Sequence, residues 1–338
     1  MKLLFLGGTG VISEAVSQLA AERGHDVTLV NRGLTVPSLT QRARVIRCDV
    51  RDVRALATAL AGHMFDVVVD WIAYVPEHVQ TDLRLFRGKT GQYVFISSAT
   101  VYEKPPRSYR ITEETPRGNP YSVYAQNKIA CEDLLFEAWE REGFPMTIVR
   151  PSYTYGNTKI PSDIGVTDYT LVDRMKRGKP VIVHGDGQSL WTLTHNSDFA
   201  VALLGLCGQT RALGEAFHIT SEEVLTWDQI YQAIGAAAGV TPQLVHVPVE
   251  LIEAYDPGKT AGLRGDKMYS MVFDNSKVKR LVPEFVARVP FAEGVRRAVA
   301  WFEADAARQR VNDEANVLID RIIAGMERAL PARGTVRS

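Results

Sequence analysis

Lys2-Leu3-Leu4-Phe5-Leu6-Gly7-Gly8-Thr9-Gly10-Val11-Ile12-Ser13 joins an apolar run of strand length to a glycine-rich turn. A helical pattern follows, carried by Ala15, Val16, Leu19 and Ala20, and stops at Gly24. Strand, tight turn and helix in this order open a dinucleotide-binding unit. Glycines let the backbone turn sharply and approach a pyrophosphate with no Cβ in the way. The helix behind them aims free N–H groups and the positive end of its dipole at the phosphates. Two frames fit, Gly8-x-Gly10-x-x-Ser13 and Gly7-x-x-Gly10-x-x-Ser13, each with Ser in the last place. That place serves close helix–strand packing, which a small hydroxyl tolerates. Gly7, Thr9, Gly10, Val11 and Ile12 form the candidate cofactor cradle.

Strands and helices alternate from there. Asp26 to Val30 reads as a second strand, ending in Asn31-Arg32-Gly33. An acid at this end would bind the adenosine ribose and signal NAD. None is present, and Arg32 can neutralise a 2′-phosphate, so the pair NAD or NADP stays open with Arg32 favouring NADP. Val45 to Val50 reads as a third strand, with Asp49 placed to contact an adenine. Residues 52–61 and 76–87 are helical, and Asp66–Asp70 and Tyr93–Ile96 are strands. A polar loop over 103–119 precedes a long helix from Tyr121 to Arg141, and Pro145–Val149 is a further strand. This alternation predicts a parallel sheet with helices on both faces. Ligands gather at the strand carboxyl ends of such sheets, where Gly7, Asn31, Asp49, Ala73 and Ser98 all fall.

Past residue 156 the pattern loosens. Residues 157–167 read as a loop, Val181–Val183 as a short strand, and Asn196 to Leu206 as a helix. Thr226-Trp227-Asp228-Gln229 is a capping box opening a helix through Ala238. Residues 256–270, rich in Gly, Lys and Asp, read as a flexible loop and candidate lid. Two helices near 291–308 and 312–329 follow, with a loose tail over Ala332–Ser338.

Composition narrows the function classes. The 338 residues make one large or two small domains, and 46% hydrophobic content suffices for a full core. Lys and Arg total 39 against 39 Asp and Glu, so the chain has no electrostatic footprint for nucleic acid or an anionic membrane. Cys48, Cys131 and Cys207 are scattered and form no metal or disulfide motif, which points to a reduced compartment. The opening apolar run is too short for a signal peptide and no segment has membrane-span length. A cytoplasmic protein with no metal is expected.

One constellation carries chemistry. Tyr124 and Lys128 lie four apart on one helical face, about 25 residues after the strand-end Ser97-Ser98. Oxidising an alcohol carbon beside a nicotinamide requires loss of the hydroxyl proton. A tyrosinate takes it if its pKa falls from about 10 toward neutrality. A lysine ammonium on the same face favours the phenolate, and a serine hydroxyl holds the reacting oxygen.

With these motifs the chain resembles the extended short-chain dehydrogenase/reductases, the epimerase/dehydratase group, from residue 1 to about 300. The resemblance is carried by the glycine turn, Asp49-Val50, Ser97-Ser98-Ala99-Thr100-Val101-Tyr102, Tyr124-x-x-x-Lys128, Arg150-Pro151-Ser152 and Gly185-Asp186-Gly187…Asp198. It implies that Ser98, Tyr124 and Lys128 are catalytic, and that Val50, Ala73 and Pro151 join the cofactor-binding residues. It also implies a cofactor that stays bound through a redox-neutral cycle, and a homodimer as the common assembly.

The chain departs from the pattern at two substrate positions. Tyr153 stands where sugar-nucleotide members carry an Asn, and Trp191 where they carry an Arg that clamps the diphosphate. Both losses weaken the anion grip. The two aromatics either stack on a sugar or nucleobase or belong to the core. Ala99-Thr100 replaces the Asp-Glu pair of the hexose 4,6-dehydratases, as in the 4-epimerases, so any elimination needs another acid or base. By position Tyr74, Glu103 and His195 are candidates, and Tyr74, Thr100, Tyr153, Trp191 and His195 make up the candidate substrate set. The glycine start, Asn31-Arg32-Gly33 and Ser97–Tyr102 also resemble the chloroplast stem-loop RNA-binding proteins, which have lost the Tyr/Lys pair that this chain keeps.

The expectation is a Rossmann-like doubly wound parallel sheet over 1–155 plus about 190–218. A smaller α/β substrate domain takes 156–189 and 219–330, with the site in the cleft between them. The expected activity is a redox-neutral NAD(P)-dependent epimerase or dehydratase acting on a sugar or sugar-bearing small molecule such as a nucleoside. A plain NADPH-dependent reductase or dehydrogenase and a non-catalytic RNA-binding or regulatory relative are the alternatives.

Overall fold

In the computed structural model, which describes residues 1–33 and 43–329, the opening apolar run is strand β1 (Lys2–Leu6). The expected loose tail lies outside the described residues. Contacts divide the chain into two units. The first comprises Met1–Gly156, Thr192–Glu223 and Val272–Pro290, and the second comprises Asn157–Trp191, Val224–Met271 and the chain from Phe291 onward.

The first unit is built on seven strands: β1, β2 (Asp26–Asn31), β3 (Arg44–Arg47), β4 (Phe65–Asp70), β5 (Thr90–Ile96), β6 (Met146–Pro151) and β7 (Glu215–Ile219). They pair in parallel throughout, in the order β7-β6-β5-β4-β1-β2-β3. A sheet covered on both faces requires strands that are apolar on both sides. Leu3, Leu4, Phe5, Val67, Val68 and Val69 are all fully buried. Their alternation supplies two cores, each full side-chain burial contributing about 1.5–3 kcal/mol. Leu3, Phe5, Val67 and Val69 pack under α1 (Val11–Glu22) and a helix over Asn196–Leu206. Leu4, Leu6 and Val68 face the other way, with residues of α2 (Val53–Ala59), α3 (Pro76–Phe86) and α4 (Val123–Glu142). The fold is the expected doubly wound Rossmann-like sheet. Strand order reverses beside β1, and at that switch point the turns after β1 and β4 meet. A Cβ on Gly7 would lie 3.3 Å from Ile72 Cγ2 and 3.4 Å from Trp71 Cβ.

The second unit is a smaller α/β assembly. Val181–His184 pairs in parallel with Leu244–Val247, and Leu190–Trp191 pairs antiparallel with Leu225–Thr226. The capping box at Thr226 forms as its sequence indicates. Gln229 N donates to Thr226 Oγ1 at 3.2 Å, and Thr226 N donates to Gln229 Oε1 at 2.9 Å.

Three expectations change. Residues 272–290 join the first unit, because Val272–Phe273 pairs with Arg110–Ile111 and Asn275 is hydrogen-bonded to both backbone groups of Thr220. The third strand stops at Arg47, leaving Asp49 in the turn beyond it. Residues 256–270 are a run of short helical turns over Pro257–Lys259, Thr260–Gly262 and Leu263–Lys267. Asp256 caps the first, accepting from Gly258 N at 2.9 Å, and Arg264 bridges Glu253 and Glu250. Glycine content suggested a loop, but local caps and ion pairs order it.

Gly8 adopts φ +98°, and a Cβ there would meet Leu29 Cδ2 at 2.8 Å. Gly8→Ala therefore costs about 1–3 kcal/mol of folding stability, to be read from the denaturant midpoint.

Candidate active site

The turn after β1 is shaped by its own backbone. Gly7 takes φ +100° and donates its N–H to Val30 O at 2.9 Å, extending the sheet ladder into the turn. Ser17 Oγ donates to Gly8 O at 2.9 Å. Ser13, in the place of the last glycine, is buried and its Oγ accepts the Gly10 N–H at 2.9 Å. The substituted hydroxyl thus closes the start of α1. Val11 and Ile12 open that helix. Gly10 itself has φ −86°, open to any residue, and a Cβ there would touch only Ser13 Oγ at 3.5 Å. The fold places no demand for glycine at position 10.

Beside this turn is a cavity of about 170 Å³ lined by Gly7, Thr9, Asn31, Arg32, Asp49 and Val50, among others. Asn31 Oδ1 accepts from Gly33 N at 2.8 Å, while its buried Nδ2 has no partner among the described residues. Asp49 Oδ1 accepts from Arg51 N at 2.9 Å. A glycine with no internal reason and an orphaned buried donor in the same neighbourhood fit a dinucleotide at this turn.

The second cluster is built on α4. Ser122 caps it, accepting from Ala125 N at 3.2 Å, which puts Tyr124 in the first turn and Lys128 one turn on. Tyr124 is 43% exposed and Lys128 only 1%. Lys128 Nζ donates to Ala73 O at 2.6 Å and to Ile96 O at 2.7 Å, gripping the ends of β4 and β5. Three rings surround it, with centroids at 4.6 Å (Phe95), 5.0 Å (Tyr74) and 5.8 Å (Tyr124). Tyr74, 46% exposed, lies 6.4 Å from Tyr124 ring to ring. Ser98 ends β5, and its Oγ accepts from Thr100 N at 3.2 Å and Thr100 Oγ1 at 2.9 Å, leaving its own O–H to donate.

Burial pushes the Lys128 ammonium down to about 8, partly opposed by the Asp70 carboxylate. Asp70 was not among the candidates drawn from the sequence. It is buried at the end of β4, where its Oδ1 accepts from Ile72 N at 2.7 Å and Ala73 N at 2.9 Å. The available signal was an acid closing the apolar run Val67-Val68-Val69.

Other candidates are placed differently. His195 is buried and caps the Asn196–Leu206 helix, with Nδ1 2.8 Å from Ser197 Oγ and its ring against Tyr155 at 5.4 Å. Trp191 is 1% exposed, its ring 6.0 Å from Trp227 inside the second unit. Pairing of Leu190–Trp191 with Leu225–Thr226 turns it inward, so it offers no open stacking face. Both act here as core residues. Glu103 pairs with Arg107 at 3.3 Å. Pro151 is buried at the end of β6, and Tyr153 is half-buried in a short strand over Tyr153–Tyr155. Among the described residues no helix is long and apolar enough to cross a membrane, and no group of three or more His, Cys, Asp or Glu is placed to hold a metal.

A doubly wound parallel sheet, a glycine turn at its switch point and a Tyr-x-x-x-Lys helix define the extended short-chain dehydrogenase/reductases. The chain belongs to the NAD dependent epimerase/dehydratase family, whose model matches residues 3–219. It is an enzyme of this type. It is 28% identical to the chloroplast stem-loop binding protein of 41 kDa b of Arabidopsis thaliana, covering 95% of this chain and 84% of that one. It is 26% identical to the 2′-dehydrokanamycin reductase of Streptomyces kanamyceticus, covering 85% and 81% respectively. A UDP-glucose 4-epimerase of Thermotoga maritima, solved with UDP-glucose, shares the fold with a TM-score of 0.73 at 20% identity, covering 90% of this chain and 99% of that one.

Two predictions follow from the two clusters. Gly10→Ala, at the N-cap of α1, costs only about 1 kcal/mol of folding stability yet weakens NADH and NADPH binding at least about tenfold, measured by nucleotide fluorescence. Lys128 in the folded chain sheds its proton near 8, against the ordinary 10.5 when unfolded. Between these values the unfolded chain binds the extra proton, so folding stability rises with pH. Relative to Lys128→Met, the native chain gains about 2 kcal/mol between pH 7 and pH 9.5, measured by denaturation of both proteins at each pH.

Proposed function

We propose that the protein is a redox-neutral NAD(P)-dependent epimerase or dehydratase of a sugar or sugar-bearing small molecule. The observation that carries this reading is the buried Lys128 ammonium, held by two carbonyls beside the exposed ring of Tyr124. The turn at Gly7–Ile12 and the start of α1 would hold the pyrophosphate, Asp49 and Val50 the adenine side, and Ala73, Tyr124, Lys128 and Pro151 the nicotinamide half. Arg32 at the cavity wall supports NADP. When bound, the nicotinamide supplies a two-electron acceptor that later returns what it took.

The chain's own residues manage the proton. Tyr124 takes it from the substrate hydroxyl on its phenolic oxygen, and the Lys128 charge favours that anion. Ser98 donates its free O–H to the reacting oxygen. Tyr74, beside Tyr124, is the acid or base for a following elimination or inversion, since His195 is committed to its helix cap. Burial of Trp191 removes a candidate stacking face, so sugar recognition falls to Thr100 and Tyr153.

A second reading, a reductase with exchangeable NADPH, is favoured by the match to the 2′-dehydrokanamycin reductase. A non-catalytic nucleic-acid-binding role, suggested by the stem-loop binding named for the chloroplast relative, has less support, because the chain balances 39 basic against 39 acidic residues.

The test is to denature the purified protein and quantify released dinucleotide. Stoichiometric NAD(H) or NADP(H) is expected. An empty protein that binds NADPH reversibly favours the reductase, and one that binds neither dinucleotide overturns both enzymatic readings.

A further inference from the structure

Beneath the Lys128 cluster lies a buried acidic group that the proton chemistry above does not use. Tyr93, fully buried on β5, donates its OH to Asp82 Oδ2 at 2.8 Å and stands 3.3 Å from Asp70 Oδ2. Asp82 comes from α3 and is itself buried. Two carboxyl groups sharing one phenol in the core cannot both be charged at low cost. Their surroundings differ. Asp70 accepts two backbone N–H bonds at Oδ1, while Asp82 meets only side chains, the Tyr93 phenol and the Asp70 carboxyl itself. Backbone donors stabilise an anion, so the charge belongs on Asp70 and the proton on Asp82. In keeping with this, burial and then the Asp70 charge hold the Asp82 carboxyl well above the usual carboxylate range.

We propose that Asp70 is the positioning residue for Lys128: it fixes the turn that presents the Ala73 carbonyl to Nζ, and it supplies the buried negative charge that keeps Nζ an ammonium.

The charges facing Lys128 come from several elements, and the others do not replace Asp70. On α4, Glu132 is already bound by Arg150 and Arg117, with contacts of 2.7 and 3.0 Å. Cys131, also on α4, has its thiol pushed up to about 12 by burial and stays neutral. Arg51, after β3, and His78 on α3 bring no negative charge, and Arg51 opposes the ammonium. The neighbouring rings of Tyr74, Phe95 and Tyr124 offer only their faces. Asp70 is therefore the one negative charge among these groups that has no cationic side chain of its own. Asp82, kept protonated, holds Tyr93 in place without adding a second charge.

The inference rests on the reading of Lys128 as the cation beside Tyr124. Its test needs neither substrate nor turnover, so the two fail separately. The Nζ titration is followed by NMR on the full chain carrying 13Cε-lysine, with the resonance assigned by its loss in Lys128→Met. Asp70→Asn keeps an acceptor for the Ile72 and Ala73 N–H groups and removes only the charge. Its Lys128 midpoint is expected at least about one pH unit below that of the native chain. Asp82→Asn, which mimics a protonated acid, is expected to leave the midpoint within about 0.3 units of native. An unmoved midpoint in Asp70→Asn overturns the proposal. So does a drop of about one pH unit or more in Asp82→Asn, which would place the charge on the other acid and is read against the native chain even if Asp70→Asn does not fold.

Discussion

A single buried carboxylate holds the framework of the site. Glu132 on α4 accepts from Arg150 Nε at 2.9 Å and from its terminal nitrogen at 2.7 Å, from Ser97 Oγ at 2.6 Å and from Arg117 at 3.0 Å. Through these bonds one residue ties the helix bearing Tyr124 and Lys128 to the ends of β5 and β6. Arg150 continues the network to Tyr102, whose hydroxyl lies 3.1 Å from His218 Nδ1 on β7. Charges this deep are tolerated only because every partner is present. Removing one member would strand the others at a cost of about 3–5 kcal/mol. The register of α4 against the sheet is thereby set, and with it the point where Lys128 emerges between Ala73 and Ile96.

The site as a whole joins a rigid floor to exposed groups. Lys128 and Asp70 are buried and fully engaged, whereas Tyr124 and Tyr74 present their rings to solvent. In the proposed mechanism the floor sets the charge and the exposed rings meet the ligand, so that little rearrangement would accompany proton transfer.

Much of this was legible in the chain. The run Lys2–Leu6 meeting Gly7-Gly8 could hardly be anything but a strand and its turn, and both-face burial made β1 and β4 plain from composition alone. The Asn196–Leu206 helix and the Thr226 cap follow from local rules that tertiary contacts did not override. The losses have specific causes. Arg110–Ile111 and Val272–Phe273 pair over two residues each, too few for any periodicity to show. Trp191 at a substrate position reads the same whether it faces a ligand or Trp227, because direction depends on pairing with Leu225–Thr226. Asp70 looked like the polar end of a strand. The role proposed for it depends on Tyr93 and Asp82, brought to it from β5 and α3 by the fold.

The return of residues 272–290 to the first unit has a consequence for how the molecule is made. The chain changes unit after Gly156, Trp191, Glu223, Met271 and Pro290. No single cut separates the two units into continuous pieces, so neither can be expressed as one uninterrupted fragment. During synthesis six strands of the large sheet are available once residue 151 has left the ribosome. The seventh waits until residue 219, and the segment that secures its far end through Thr220 and Asn275 arrives later still. The nascent sheet therefore presents the flank of β6 to the cell while the first segment of the second unit, Asn157–Trp191, is translated.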